Sequence, residues 1–334
     1  GRAVQVITLK RQPIRSYNVY VIVFFRICYR GPANEGERLA MHILMTGGTG
    51  LIGTATRELL LEQGHRVTVL TRRARQNERQ LAFINKLSDS EPDVDAVINL
   101  AGAGLADRRW SARYKREITA SRLQLTQRLV EWMSALEVAP KRLISASAIG
   151  YYGASETSQF TESSAGGEGF SAELCQAWEV AAREATALGI PVTVLRLGVV
   201  FAESGGALEK MTQSFRLGVE SWLGSGSQWL SWVHLTDVVR AIDHALTTAT
   251  PAPIYNVVAP QAIRHRDLAT EVGRFHKVWL KLGVPSAAAK LLAGQMAEEL
   301  LLTGQRVLPE QLEAEGFDFH YPTVASALTD LTGR

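Results

Sequence analysis

Gly47, Gly48, Gly50 and Gly53 fall in one short run, MHILMTGGTGLIG at residues 41–53, where an apolar strand breaks into spaced glycines and a helix begins. The chemistry this spacing suits is the holding of a pyrophosphate. Gly47 and Gly48 permit a tight turn, Gly50 lets backbone approach phosphate without a Cβ in the way, and Gly53 lets the helix sit close on the strand. Free N–H groups and the positive dipole at the helix start then face the anion. Spaced glycines also make ordinary turns; the strand before these and the helix LIGTATRELLLEQG after them favour the nucleotide reading.

A second strand, HRVTVLTRR, ends roughly twenty residues after the glycines, where an NAD-preferring domain places an acid on the ribose 2′-hydroxyl. Thr71, Arg72 and Arg73 stand there instead. A carboxylate at that point would repel a 2′-phosphate, whereas a guanidinium pair binds it through charge-assisted, bidentate hydrogen bonds. The expected cofactor is therefore NADP(H), against the plainer alternative that both arginines only solvate a loop.

These groups need a scaffold, and the pattern from Met41 onward supplies one. Apolar strand candidates at 42–46, 66–71, 96–100, 142–146 and 192–197 alternate with helical or loop segments. Nearly continuous apolar strands imply a parallel sheet covered on both faces. The expected fold class is α/β, with a doubly wound Rossmann sheet over residues 41–200. Beyond it come glycine-rich loops, helices near 236–247, 266–275, 286–303 and 323–331, and a short strand at 254–258. Residues 201–334 are read as a smaller C-terminal substrate lobe closing over the strand ends, where open α/β sheets bind ligands.

At 334 residues and 46% hydrophobic, the chain is long enough to bury one large core and a smaller one. Its two cysteines, Cys28 and Cys175, make no disulfide framework, which suits a reducing compartment and an expected cytoplasmic location. The net charge of +3 is concentrated in the first forty residues, which hold seven Lys/Arg and two Asp/Glu. The remainder carries −2 and offers no basic domain to nucleic acid. Residues 1–40 stop directly before Met41, where the first strand should begin. Their apolar stretch at 18–25 is ended by Arg26 and is too short for a stable membrane insertion. With no small-residue cleavage site, the segment reads as an N-terminal extension outside the fold, ahead of an added edge strand or a membrane-touching segment.

TGGTGLIG at 46–53, VINLAG at 97–102, ADRRW at 106–110, LISASAIGYYG at 143–153, LCQAWE at 174–179, GSGSQWLSWVHLTDV at 224–238 and GQRVLP at 304–309 form an ordered series. Together they resemble the atypical extended short-chain dehydrogenase/reductases of an epimerase family, from Met41 nearly to the C-terminus. The resemblance implies a Rossmann domain that binds NADP(H), with Gly47, Thr49, Gly50, Leu51, Ile52 and Gly53 around the pyrophosphate. It implies Arg72 and Arg73 on the adenosine 2′-phosphate, and Leu100, Ala101 and Gly102 beside the adenosine half. Ala103 stands where many members carry Glu, which removes one ribose contact. No metal site is expected.

Short-chain dehydrogenases generally work through a serine at the end of the fourth parallel strand and a Tyr-x-x-x-Lys pair on the next helix, the lysine lowering the tyrosine pKa. Ser147 matches the serine. The pair is missing, because residues 153–189 contain neither Tyr nor Lys. Tyr151 and Tyr152 are the nearest phenols and the remaining candidates for the acid, unless both are aromatic walls of the pocket. Cys175 and Trp178 read as core side chains of that helix. Sugar-nucleotide epimerases of the extended group usually carry an arginine where this chain has Leu230; Trp222, Trp229 and Trp232 instead suggest an aromatic, apolar cleft. His234 and Asp237 are spaced as an acid/base pair, but Asp237 fits better as a first-turn charge of a helix.

Two readings of function stay open. One is an NADP(H)-dependent oxidoreductase or epimerase-like enzyme acting on an unidentified small carbonyl or hydroxyl substrate, with Ser147 and a tyrosine polarising the substrate oxygen. The other is an NADP(H)-binding regulatory or redox-sensing protein with little catalysis, linked through similar proteins to division. The missing Tyr/Lys pair favours the second, and the elaborate 224–238 motif favours the first.

Overall fold

The structure, a computed structural model, describes residues 40–333, so the reading of residues 1–40 as an extension lies outside the described residues apart from Ala40. Seven strands build the central sheet: β1 (His42–Thr46), β2 (Arg66–Leu70), β3 (Leu81–Ile84), β4 (Ala96–Asn99), β5 (Arg142–Ala148), β6 (Val192–Leu197) and β7 (Ile254–Val257). Their order is β7-β6-β5-β4-β1-β2-β3, and every pairing is parallel. The order reverses at β1, so a crevice opens between the carboxyl ends of β1 and β4.

Strand alternation assigns the two faces. Four helices cover them: α1 (Leu51–Glu62), α2 (Ala112–Ser134), α3 (Phe170–Arg183) and α4 (Leu235–Thr247). Ile43 and Met45 cluster with Val67 and Val69 on one face, with Leu60 of α1 and Val238, Ile242 and Leu246 of α4. Leu44 joins Val97 and Leu143 on the other, with Leu129 and Met133 of α2 and Ala182 of α3. Burial on both sides is why these strands read as continuous apolar runs.

The boundary expected at residue 200 is corrected by the topology. β7 adds to the sheet beside β6, and α4 packs on it, so 235–257 belong to the nucleotide-binding layer. The chain leaves that layer after β6 and returns, a crossing that local periodicity does not report. A separate apolar cluster gathers Phe201, Phe215, Trp232, Leu268, Val272 and Leu328, within the same compact unit as the sheet. The helix expected at 286–303 is broken into Ser286–Ala293 and Gln295–Leu300 by Gly294, which takes a left-handed φ of 60°. Among the described residues no helix is long and apolar enough to cross a membrane.

Candidate functional site

The glycine turn joins β1 to α1 at the crevice, and each glycine has a separate reason. Gly47 has a φ of +70°, and a Cβ there would lie 2.6 Å from the Leu100 carbonyl carbon. A Cβ on Gly48 would meet the Val69 methyls at 2.9 Å, and one on Gly53 would meet the Gly47 oxygen at 2.1 Å. Gly48 is therefore small for packing, with no turn conformation that demands glycine. Gly50 differs: a Cβ there would touch only the Gly47 oxygen, at an ordinary 3.4 Å, and its φ of −84° suits any residue. Among the described residues nothing requires glycine at 50, and the space above it is open.

The start of α1 is correspondingly unfilled. Gly50 provides no side-chain cap, and the first helical bond runs from the Thr54 N–H to the Gly50 oxygen. The amides of Leu51, Ile52 and Gly53 donate to no group among the described residues, and Thr49 is exposed beside them. Three amides at a positive helix end, next to an open glycine, fit a diphosphate.

Arg72 and Arg73 lie exposed just after β2, and no carboxylate pairs with either among the described residues. Arg57 was not anticipated. Its Nη1 donates to the Gly48 oxygen at 3.1 Å, and its guanidinium and that of Arg75 lie 5.8 and 5.7 Å from the Phe83 ring centre. The glycine turn, the end of β2 and β3 thus share a rim rich in arginine.

Beneath the crevice runs a buried polar layer. Thr46 Oγ1 donates to Asn99 Oδ1 at 2.7 Å, Asn99 Nδ2 donates to Thr126 Oγ1 at 2.9 Å, and Trp178 Nε1 donates to the same Thr126 oxygen at 3.0 Å. These bonds tie β1, β4, α2 and α3 together under Leu100, Ala101 and Gly102, and Trp178 proves to be a positioning group of this layer. Cys175 is buried and free, and burial pushes its thiol up to about 11.

Ser147 and Arg196 face each other across the β5–β6 pairing, and Glu179 of α3 sits over both. Ser147 Oγ donates to Glu179 Oε1 at 2.9 Å; Arg196 grips the carboxylate at both oxygens, with Nε 2.8 Å from Oε1 and Nη2 2.9 Å from Oε2. All three are 1–2% exposed. Burial alone would lower the Arg196 pKa, but the doubly bonded Glu179 carboxylate more than offsets this and raises it. Arg196 Nη1 continues to the Tyr152 hydroxyl at 2.8 Å, which donates onward to Asn256 Oδ1 at 2.6 Å.

The two tyrosines separate at this point. Tyr152 is 3% exposed with its hydroxyl used as both donor and acceptor, and burial pushes its phenol up to about 12. Tyr151 is half-buried, its hydroxyl has no protein partner among the described residues, and the Arg196 guanidinium lies 3.4 Å from its ring centre. It follows β5 directly in the turn Ile149–Tyr152, at the carboxyl edge of the sheet.

Other expected site groups take structural places. Trp232 is fully buried, stacked on Phe201 at 5.1 Å, so it is core and not a cleft wall. Trp229 is covered by Arg264 and Arg306, with ring distances of 3.7 and 5.0 Å, and Trp222 by Arg266 at 4.7 Å. The expected apolar aromatic cleft is corrected accordingly, because cations cover the rings. Asp237 accepts backbone N–H bonds from His320 and Tyr321, both at 2.9 Å, and holds the C-terminal segment; it makes no acid/base pair with His234. At the amino end of the sheet, His42, Glu91 and Asp93 converge, and the Arg66 guanidinium already occupies that cluster.

A parallel sheet reversing at β1, with a glycine turn and open helix amides at the reversal, defines a Rossmann-type nucleotide-binding protein. Residues 43–258 match the NAD dependent epimerase/dehydratase family, and residues 284–331 match DUF1731, a domain of unknown function. The chain belongs to the NAD dependent epimerase/dehydratase family, as its motifs indicated. An epimerase family protein of Mycobacterium bovis is 37% identical over 296 residues, 87% of this chain and 98% of that protein. The Arabidopsis thaliana epimerase family protein SDR39U1 homolog, chloroplastic, is 36% identical over 300 residues, 86% of each. The crystal structure of human epimerase family protein SDR39U1 (isoform 2) with NADPH is similar with a TM-score of 0.81 and 32% identity, covering 88% of this chain and 100% of that one.

Proposed function

We propose that this chain is an NADP(H)-dependent oxidoreductase or epimerase-like enzyme of the cytoplasm, acting on a small carbonyl or hydroxyl compound. The NADPH in the similar human structure and the exposed Arg72 and Arg73, without an ion pair among the described residues, support the choice of cofactor. Gly47, Thr49, Gly50, Leu51, Ile52 and Gly53 would hold the diphosphate, and Leu100, Ala101 and Gly102 would line its next segment. When bound, the nicotinamide ring supplies hydride exchange at C4.

The observation that carries the catalytic reading is the free Tyr151 hydroxyl at the carboxyl edge of β5, with a fixed guanidinium against its ring. Tyr151 is the residue we assign to hand a proton to the substrate oxygen. Ser147 and Tyr152 are proposed to act through the Glu179–Arg196 pair, which their hydroxyls brace from two sides. A second reading, an NADP(H)-binding regulatory or redox-sensing protein, is favoured by the absence of any Tyr or Lys from residues 153–189. The test is a screen of aldehydes, ketones and quinones for NADPH oxidation, followed by Tyr151→Phe on any hit. A turnover loss of roughly 10²–10⁴-fold with unchanged NADPH affinity is expected of an enzyme that uses this acid. Full activity in Tyr151→Phe would remove Tyr151 from the mechanism, and NADPH binding with no turnover on any compound would favour the sensor.

A further inference from the structure

Arg122, on α2, is a cation that the reading above leaves unused. Its Nη1 donates to the Ala103 oxygen at 3.0 Å and the Ile118 oxygen at 3.3 Å, so backbone anchors it and no carboxylate pairs with it among the described residues. Its Cζ lies 5.1 Å from the centre of the Trp178 ring. Gly102 lies against the same group: a Cβ there would come within 2.7 Å of Cζ, so glycine at 102 makes room for the guanidinium. The Nε and Nη2 N–H groups have no acceptor among the described residues, and neither is among the buried polar atoms left without a partner. Burial draws the Arg122 pKa down, as it does for a cation without a counter-ion.

A guanidinium held by backbone and tryptophan, with one edge free, is pre-organised for an anion. Gly102 follows β4, the strand between β1 and β5, so Arg122 stands on the Tyr151 side of the glycine turn. We infer that Arg122 binds an oxyanion in the crevice, taking carboxylate or phosphate oxygens of the bound ligand on its Nε and Nη2. This rests on the crevice being the ligand site. On the proposed assignment of the glycine turn and the α1 amides to the cofactor's diphosphate, and with Gly102 between Arg122 and the cofactor's next segment, the free edge of Arg122 is left for the substrate: a small acid with a carboxylate or phosphate beside its carbonyl or hydroxyl.

The experiment compares the unaltered protein with Arg122→Gln and with Arg122→Lys, which keeps the charge without the fork; thermal melting checks that each is folded. NADPH is titrated into all three, and oxalate is then titrated into the NADPH-saturated proteins. The expected result is an NADPH Kd within about twofold across the set, an oxalate affinity at least about tenfold weaker in Arg122→Gln, and an intermediate value in Arg122→Lys. A tenfold loss that falls on NADPH instead assigns the oxyanion to the cofactor's phosphates and overturns the substrate acid. No difference among the three proteins in either titration overturns the site. Failure of the unaltered protein to bind NADPH overturns the functional reading beneath it and leaves Arg122 with no ligand to hold.

Discussion

Arg72 and Arg73 stand exposed just after β2, where the charge of a side chain bears on which ribose substituent is tolerated. NADPH is expected to bind more tightly than NADH, and replacing both arginines by alanine should cost about 1.5–3 kcal/mol of that affinity, roughly tenfold or more. Equal NADPH and NADH affinity in the unaltered protein would sink this assignment. Glu179 and Arg196 were legible only in part. An arginine inside the strand VTVLRL and a glutamate inside an apolar helix face each needed a partner, and that need was a usable signal; which partner each had depended on the β5–β6 register. The same network separates the tyrosines. Tyr152→Phe strands Asn256 Oδ1 and weakens the hold on Arg196, so it should destabilise the fold by about 1–3 kcal/mol. Tyr151→Phe removes a hydroxyl without a partner among the described residues and should leave stability within about 0.5 kcal/mol, so that urea unfolding distinguishes the two directly.

At the scale of elements, the strand–turn–helix of β1 and α1 was legible because spaced glycines fall between an apolar strand and a helix; the contacts that restrict Gly47 and Gly48 come from Leu100 and Val69 on other strands, and only the clash at Gly53 is local. The third strand was not. Leu81–Ile84 has four residues at the sheet edge and only Leu81 is fully buried, so it lacks the apolar run that marks the inner strands. The buried layer of Thr46, Asn99 and Thr126 was also invisible, since small polar residues declare nothing until three elements meet. Glycine substitutions test whether the turn serves packing or ligand. Gly53→Ala places a Cβ 2.1 Å from the Gly47 oxygen and should cost about 1–3 kcal/mol of stability. Gly50→Ala meets only a 3.4 Å contact and should melt within about two degrees of the parent while NADPH affinity falls about tenfold or more. Unchanged NADPH affinity in Gly50→Ala would show that phosphate does not pass over residue 50.

For the molecule as a whole, fold class followed from the alternation of strands and helices, but the return of 235–257 into the sheet is a long-range choice that β7 makes by pairing with β6. The same burial that completes the two faces shapes the response to pH. Tyr152 and Cys175 are buried as neutral groups, with pKa values pushed up from 10.0 to about 12 and from 9.0 to about 11. Both folded values lie above the unfolded ones. The stability they contribute is therefore complete below pH 9 and is lost progressively as pH rises toward 12, when the unfolded chain releases protons that the folded chain retains. Each group should account for a loss on the order of 2–3 kcal/mol across that window. Urea unfolding at pH 8, 9, 10 and 11 should show a falling free energy in the parent and a shallower fall in the double variant Tyr152→Phe, Cys175→Ala. The variant will begin from a lower stability, so the comparison is between slopes and not absolute values. Identical slopes in the two proteins would mean that these groups open to water before they ionise, and that the core behind the candidate site is looser than its hydrogen bonds imply.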